Sequence, residues 1–445
     1  MTGNTVNPET RPDIRADIDA VRPRPRTDRQ IWGIYFALVF ISLIELYSAS
    51  SREIVAGNIL GPVIRQAALL FLGFLIMIGL QRVHYKRFYQ TTYIIVALSV
   101  LSVFYTMKFG LVINNARRAF SLFGLCTVQP SELIKFSAAL IIARLLCNYV
   151  YRYKRGHEAE ERRHNQRLVA IVAALVLFFG ALLIAQGMTN TIIMMVISVT
   201  MMVIGGVRWR ELAWVAVVYA AIGGIYMGIR YIAPDKAEGT EQAETQVVGS
   251  HDVIDRADTH RSRIQQWLHG QKYNDAITSD NSQEMYSYIA QANGGFWGRL
   301  PGNSREAARL PLAFSDYIYA IIIEDTGMWG AALVMCLYLW LLARAGRIAM
   351  QCKKAFPALL VIGMAVFICC QALVHMGIVT GALPVSGQPL PLISKGGSSV
   401  IITSVALGMM LSVSRFALRK GQKQEANARI AALSDNEMPD NPTQV

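Results

Sequence analysis

Asp316 closes a long polar stretch, residues 233–315, and opens the apolar run Tyr317-Ile318-Tyr319-Ala320-Ile321-Ile322-Ile323. Acidic and basic side chains are mixed in the polar stretch, and apolar segments lie on both sides of it. A carboxylate at such a boundary can act on a substrate that is part lipid and part polar while its own segment stays anchored. Ionisable groups at membrane depth are costly and mark functional sites more often than chance. Glu324, Asp325 and Gly327 follow in the same run.

A second constellation reads Gln129-Pro130-Ser131-Glu132-Leu133-Ile134-Lys135. Proline suits a first helical turn, Ser131 can cap and Glu132 favours the positive helix end. Glu132 and Lys135 are three apart and share a helix face. Two readings follow: a capped helix with a local ion pair, or a charged wall on an outward-facing cavity. Just upstream, Arg117 and Arg118 could clamp a phosphate with planar guanidinium groups or contact lipid headgroups. Glu45 and Arg65 lie at similar depth in two neighbouring apolar segments and suggest a structural ion pair, with a substrate role as the alternative.

Between Gly381 and Ser399, three prolines and four glycines exclude a continuous helix, yet Leu, Ile and Val keep the stretch apolar. Apolar non-helical backbone at membrane depth is tolerated only when buried in protein or lining a cavity. A re-entrant loop is expected. The Gly-Gly-Ser-Ser helix start after it, with Ser398 inside, would offer backbone N–H groups to an anion.

The elements that must position these groups are membrane spans. The 445-residue chain is 53% hydrophobic and only 16% charged, against about a quarter charged in soluble domains. Ten apolar stretches are near the ~20 residues that cross a bilayer as helix: 31–49, 62–80, 91–107, 131–149, 168–186, 190–206, 213–232, 317–344, 356–379 and 397–415. Spans five and six are separated only by a weak break around Gln186–Asn190. Threaded through ten spans, the main Lys/Arg clusters (Arg11–Arg29, Arg82–Arg87, Arg152–Arg167, Arg208/Arg210, Arg344–Lys354 and Arg415–Arg429) fall on one side. The positive-inside rule makes that side cytoplasmic. Both termini are then inside and residues 233–315 outside. The net charge of +13 is a topology signal with attraction to anionic membrane lipid, and its distribution argues against nucleic-acid binding.

The fold expected is therefore an all-α polytopic membrane protein with about ten transmembrane helices, a large extracytoplasmic loop and a re-entrant loop. Residues 1–29 and 417–445 read as disordered cytoplasmic tails around a membrane domain of 30–416. The first span begins near residue 31 with no clear cleavage site before it, so no cleavable signal peptide is expected. Of six cysteines only Cys126 maps outside, so no disulfide framework is indicated, and their spacing fits no metal site.

Four stretches, in order, resemble the SEDS family (shape, elongation, division and sporulation), whose members include FtsW and RodA. Tyr47-Ser48-Ala49-Ser50 resembles the end of the family's first span, and Asn114–Lys135 its Asn-Gly-Ala-x-Arg-Trp…Gln-Pro-Ser-Glu-x-x-Lys segment. Gly295–Ser304 with Ser315-Asp316-Tyr317-Ile318-Tyr319…Glu324-Asp325-x-Gly327 resembles its outer loop and following motif. Pro384…Leu390-Pro391-Leu392-Ile393-Ser394-x-Gly396-Gly397-Ser398-Ser399 resembles its C-terminal signature. Departures are Asn115 for Gly, Ala119 for Trp, Lys395 for Tyr and His375 for Asn. The family's Pro-Asp-x-Gly-Thr between spans five and six also lacks its Asp here. Gly302-Asn303-Ser304 leans towards the FtsW-like division member.

The resemblance implies a peptidoglycan glycosyltransferase that polymerises lipid II at the outer face of the cytoplasmic membrane during cell division. It assigns the general base to Asp316. Diphosphate is a good leaving group, so one base and cationic stabilisation suffice, unlike the two carboxylates of glycoside hydrolysis. Arg117, Arg118, Lys135, Arg261, Arg263 and Lys395 are candidates for diphosphate contact, with Glu132, Ser394 and Ser398 completing the substrate site. Glu324, eight residues or about 12 Å further along a helix, is expected to be structural or to hold a cation. A divalent cation, Mg2+ or Mn2+, could neutralise the diphosphate; the sequence offers no ligand cluster for it, and no organic cofactor is expected. The resemblance also implies a class B penicillin-binding protein transpeptidase as partner, alongside other division-complex proteins. Alternatives are a lipid II flippase or transporter, an elongation-type RodA-like polymerase, and a recruiting scaffold.

Overall fold

The computed structural model describes residues 27–49, 61–113, 116–122, 126–153, 158–184, 187–232, 267, 277–278, 281–310 and 313–436. Residues 1–26 of the expected N-terminal tail lie outside that set. The chain is a polytopic helical membrane protein. Among the described residues, seven helices are long and apolar enough to cross a membrane: α1 (Arg29–Ala49), α2 (Gly61–Leu80), α3 (Tyr85–Phe109), α5 (Glu158–Ile184), α9 (Ile318–Gln351), α10 (Ala355–Val379) and α11 (Gly397–Asn436). Three more overlap expected spans: α4 (Pro130–Tyr153), the shorter apolar α6 (Met188–Ile204) and α7 (Trp209–Ile232). A further helix, α8 (Ser282–Gly294), lies in the large loop.

Helices α10 and the start of α11 form the centre. Residues such as Phe367, Ala372, Val400 and Leu411 are buried there. Helices α2 and α3 lie at the rim, where Phe71, Leu75, Leu98, Leu101 and Phe104 are exposed. In a soluble protein so large an apolar surface would be a liability, whereas here it matches lipid tails. Small residues set the closest helix contacts. A Cβ on Gly73 would lie 2.3 Å from Ser404 Oγ, and one on Gly408 2.9 Å from Leu80 Cβ, so α2 and α11 pack with little between them.

One expected feature is found and three differ from the sequence expectations. The weak break between spans five and six is a real turn: Gly187 has φ 150°, and Thr191 Oγ1 donates to the Gly180 carbonyl at 3.2 Å across it. Glycine tolerates that left-handed backbone. Between α3 and α4 the chain makes three short antiparallel strands, β1 (Leu111–Ile113), β2 (Ala116–Leu122) and β3 (Cys126–Val128), ordered β1-β2-β3. Val112 pairs with Arg117 and Ser121 with Thr127. Helix α11 continues through Asn436, where a disordered tail was expected from 417. Its extension is rich in Ala, Lys, Glu, Gln and Arg, all good helix formers.

The third difference concerns span eight, expected over 317–344. Helix α9 breaks at Gly327, with φ 70° and ψ −168°. Tyr319 Oη nevertheless donates to the Ala331 carbonyl at 3.2 Å. Twelve residues of straight helix cover about 18 Å, far beyond the reach of one tyrosine, so the first leg turns back on the second. Residues 317–325 are buried in protein rather than facing lipid, and the membrane-length helix is the second leg, 328–351. Apolar content is the same for both burials, so hydropathy merges the legs.

Candidate functional site

The re-entrant stretch from Gly381 to Gly396 supplies the floor of the site. Pro384, Pro389 and Pro391 carry no amide hydrogen, so the loop cannot hold itself with a backbone ladder. Helix side chains grip its carbonyls instead. Ser42 of α1 donates to Ile393 O at 3.0 Å, Gln66 of α2 to Ser394 O at 3.3 Å, and Tyr338 of α9 to Pro391 O. Ser42 lies seven residues, roughly 10 Å, short of the end of α1. The loop therefore dips well into the bundle from the end that carries residues 281–317. Leu392, at φ 65°, makes the tight reversal at its tip.

Asp316 sits directly on this loop. Lys395 N donates to Phe314 O at 2.9 Å, and Ser394 Oγ donates to Ser315 O at 2.6 Å while accepting from Leu390 N at 2.8 Å. Ser315 Oγ donates to Asp316 Oδ1 at 2.9 Å, leaving the half-buried carboxylate oriented. Gly387 faces it so closely that a Cβ there would lie 2.8 Å from Oδ2. Two of the expected substrate residues, Ser394 and Lys395, are thus brought to Asp316 through backbone and hydroxyl contacts. The Lys395 ammonium lies 4.3 Å from the centre of the Phe314 ring, a cation–π contact.

A buried polar chain stands beside this floor. Helix α4 starts at Pro130, so Ser131 lies inside the first turn rather than capping it. Gln129 N donates to Ser398 Oγ at 3.2 Å, tying the start of α4 to that of α11. Lys135 Nζ donates to Glu132 Oε1 at 2.7 Å and to Gln388 Oε1 at 3.2 Å. Gln371 Nε2 donates to Glu132 Oε2 at 2.7 Å. The ion pair is inaccessible, with side-chain exposures of 0% for Lys135 and 2% for Glu132. Both readings from sequence contain part of this: a local ion pair forms, and through Gln388 it abuts the residue next to Gly387. Sequence reasoning missed Gln371, Gln388 and Gly387. The available signal for Gln371 was a polar amide inside an apolar span.

Glu324 lies on the same leg of α9 as Asp316's neighbours but meets a different part of the large loop. The first leg runs from the re-entrant loop to the kink, and Glu324 meets residues 304–306 of the large loop. Its Oε1 accepts from Arg305 N at 2.9 Å, and its Oε2 from the Ser304 hydroxyl and from Glu306 N at 3.3 Å. The main chain of the kink is bound as tightly. Arg299 N and Leu300 N donate to the carbonyls of Glu324 and Asp325 at 3.0 and 2.7 Å, and Met328 N to Gly295 O at 3.1 Å. Glycines 294, 298 and 327 allow this approach, since a Cβ on any of them would fall 2.0–2.4 Å from a carbonyl oxygen of the facing segment.

The remaining expected residues divide. The Glu45–Arg65 ion pair is corrected: Glu45 is 2% exposed with one carboxylate oxygen lacking a hydrogen bond, Arg65 is exposed, and no ion pair among the described residues joins them. Depth along two helices gave their level but not their facing. Arg117 and Arg118 lie on β2. Arg261 and Arg263 lie outside the described residues; Trp267, four positions on, donates to Gly381 O at 3.2 Å where the re-entrant stretch begins. Among the described residues no group of three or more His, Cys, Asp or Glu side chains could hold a metal ion.

Comparison with known proteins agrees with this architecture. The chain is 27% identical over 399 residues to the probable peptidoglycan glycosyltransferase FtsW of Aliivibrio salmonicida, covering 88% of this chain and 90% of that protein. The protein of the same description from Bacillus subtilis is 27% identical over 385 residues, 86% and 87% of the two chains. Among solved structures, the rod shape determining protein RodA of Thermus thermophilus matches with TM-score 0.58 at 23% identity, over 87% of this chain and 97% of that one. A chain in a peptidoglycan synthase complex matches with TM-score 0.65 at 22% identity, over 88% and 98%. The family model for FtsW, RodA and SpoVE, described as cell cycle protein, matches residues 28–419, and the chain belongs to that family.

Proposed function

We propose that this protein is a peptidoglycan glycosyltransferase that polymerises lipid II at the outer face of the cytoplasmic membrane, as the division-type member of its family. The observation that carries the reading is the Asp316 carboxylate, oriented by Ser315 and set against Gly387 of the re-entrant loop. Asp316 takes the proton of the acceptor sugar's 4-hydroxyl as that oxygen bonds to the donor's anomeric carbon. The bond from that carbon to the polyprenyl diphosphate breaks with inversion, and the diphosphate leaves with the electron pair. Cationic side chains would stabilise that leaving group. Lys395, at the floor of the site, suits this role better than Lys135, whose ammonium is buried between Glu132 and Gln388. Arg117, Arg118, Arg261 and Arg263 remain candidates for the same contact. The described residues bring no acidic or histidine cluster together that fits a protein-held Mg2+ or Mn2+.

The division role rests on the FtsW name of the curated relatives. The match to a chain from a peptidoglycan synthase complex supports a class B penicillin-binding protein as partner. The purified chain, reconstituted with lipid II with and without that partner, tests the reading. Lengthening glycan chains are expected. Translocation of lipid II without polymer would replace it with a flippase.

A further inference from the structure

Four carbonyls of the re-entrant loop are gripped by side chains from four different helices, and the grip on Gln388, the residue after Gly387, comes from His375. That residue lies on α10, is 1% exposed, and has Nδ1 2.6 Å from the Gln388 carbonyl oxygen. A carbonyl only accepts, so Nδ1 carries the proton and the tautomer is fixed. Nε2 is then buried without a hydrogen bond. Gln388 is held at its other end by Lys135 Nζ on its side-chain oxygen, so α4 and α10 clamp one residue from two directions. The residue before it, Gly387, is the one that abuts Asp316 Oδ2. Pro389 and Pro391, just after Gln388, carry no amide hydrogen with which the backbone could hold this place.

We infer that His375 is a positioning residue for glycosyl transfer. Its Nδ1–H fixes the Gln388 carbonyl, and through Gly387 that sets where the Asp316 carboxylate stands. The inference rests on Asp316 being the base. A displacement of about 1 Å at a reacting group can cost roughly a hundredfold in rate, so losing the grip should register in turnover rather than in substrate binding.

The test compares His375→Leu, which removes the donor, with His375→Asn, whose Nδ2–H branches from Cγ as the histidine Nδ1 does. Lipid II polymerisation is measured with the full-length protein, together with amide hydrogen exchange over residues 382–396. His375→Leu should lower kcat about tenfold or more with KM within about twofold, and speed exchange in the loop. His375→Asn should restore kcat to within about threefold and return exchange to the wild-type pattern. Should His375→Leu not fold, His375→Gln, whose donor sits one bond farther out, takes its place with an intermediate kcat loss expected. Asp316→Asn is run in parallel. Activity in Asp316→Asn overturns the base reading and this inference with it. Unchanged kcat and exchange in the His375 variant that lacks the placed donor, beside an inactive Asp316→Asn, overturn this inference alone.

Discussion

Gly387 and Asp316 touch across the re-entrant loop: a Cβ at position 387 would lie 2.8 Å from Asp316 Oδ2. The atom crowded is the tip of a side chain, so the chain can relieve the clash by moving the carboxylate rather than the backbone. Gly387→Ala should therefore fold with a melting temperature near wild type and lose about tenfold or more in kcat. Thermal unfolding and polymerisation on the same preparation check both halves. Equal loss of stability and activity would place the glycine's role in folding.

The Glu132–Lys135 pair is inaccessible on both sides. Removing one partner of a buried pair leaves an uncompensated charge, a cost of about 3–5 kcal/mol. Lys135→Met and Glu132→Gln should each destabilise strongly, and the double variant should recover more than half of the summed loss. A double-mutant cycle on thermal or denaturant unfolding in detergent measures this. Additive losses would mean that the two side chains do not interact.

Glu324 holds the Ser304–Glu306 segment with one carboxylate. Glu324→Gln keeps the shape but gives up charge-assisted acceptance, worth about 1.5–3 kcal/mol. Limited proteolysis should cut near residues 300–310 faster in the variant. An unchanged cleavage rate would remove the pinning role.

Gly327 turns the first leg of α9 back with φ 70°, and a Cβ there would meet Phe296 O at 2.4 Å and Gly298 N at 2.6 Å. Both neighbours are backbone and cannot step aside. Gly327→Ala should cost about 3 kcal/mol or more through strain and overlap together, read as a fall in monodisperse protein and in melting temperature. Wild-type behaviour would contradict the fold-back geometry.

Much of this was legible in the sequence. Proline and glycine density in an apolar stretch marks the re-entrant loop, because only buried backbone tolerates that combination, and the loop is found with Ser394 and Lys395 against the Asp316 segment. The reversal at Gly327 was not legible. The Ile-rich run before it is apolar for packing against protein, and lipid would select the same residues. Nor could spacing reveal the polar chain: Lys135 meets Gln388 across 253 positions and Gln371 meets Glu132 across 239. Glu45 and Arg65 show a second failure, because position along two helices does not reveal which way each side chain faces.

The central claim is that Asp316 is the base for glycan polymerisation. The most direct measurement is product formation from lipid II by purified Asp316→Asn, normalised to folded protein by its melting curve. Loss of a general base costs typically 10²–10⁴-fold, so the account predicts no visible glycan ladder from a variant that melts like wild type. A ladder of wild-type length and yield from that variant would contradict it.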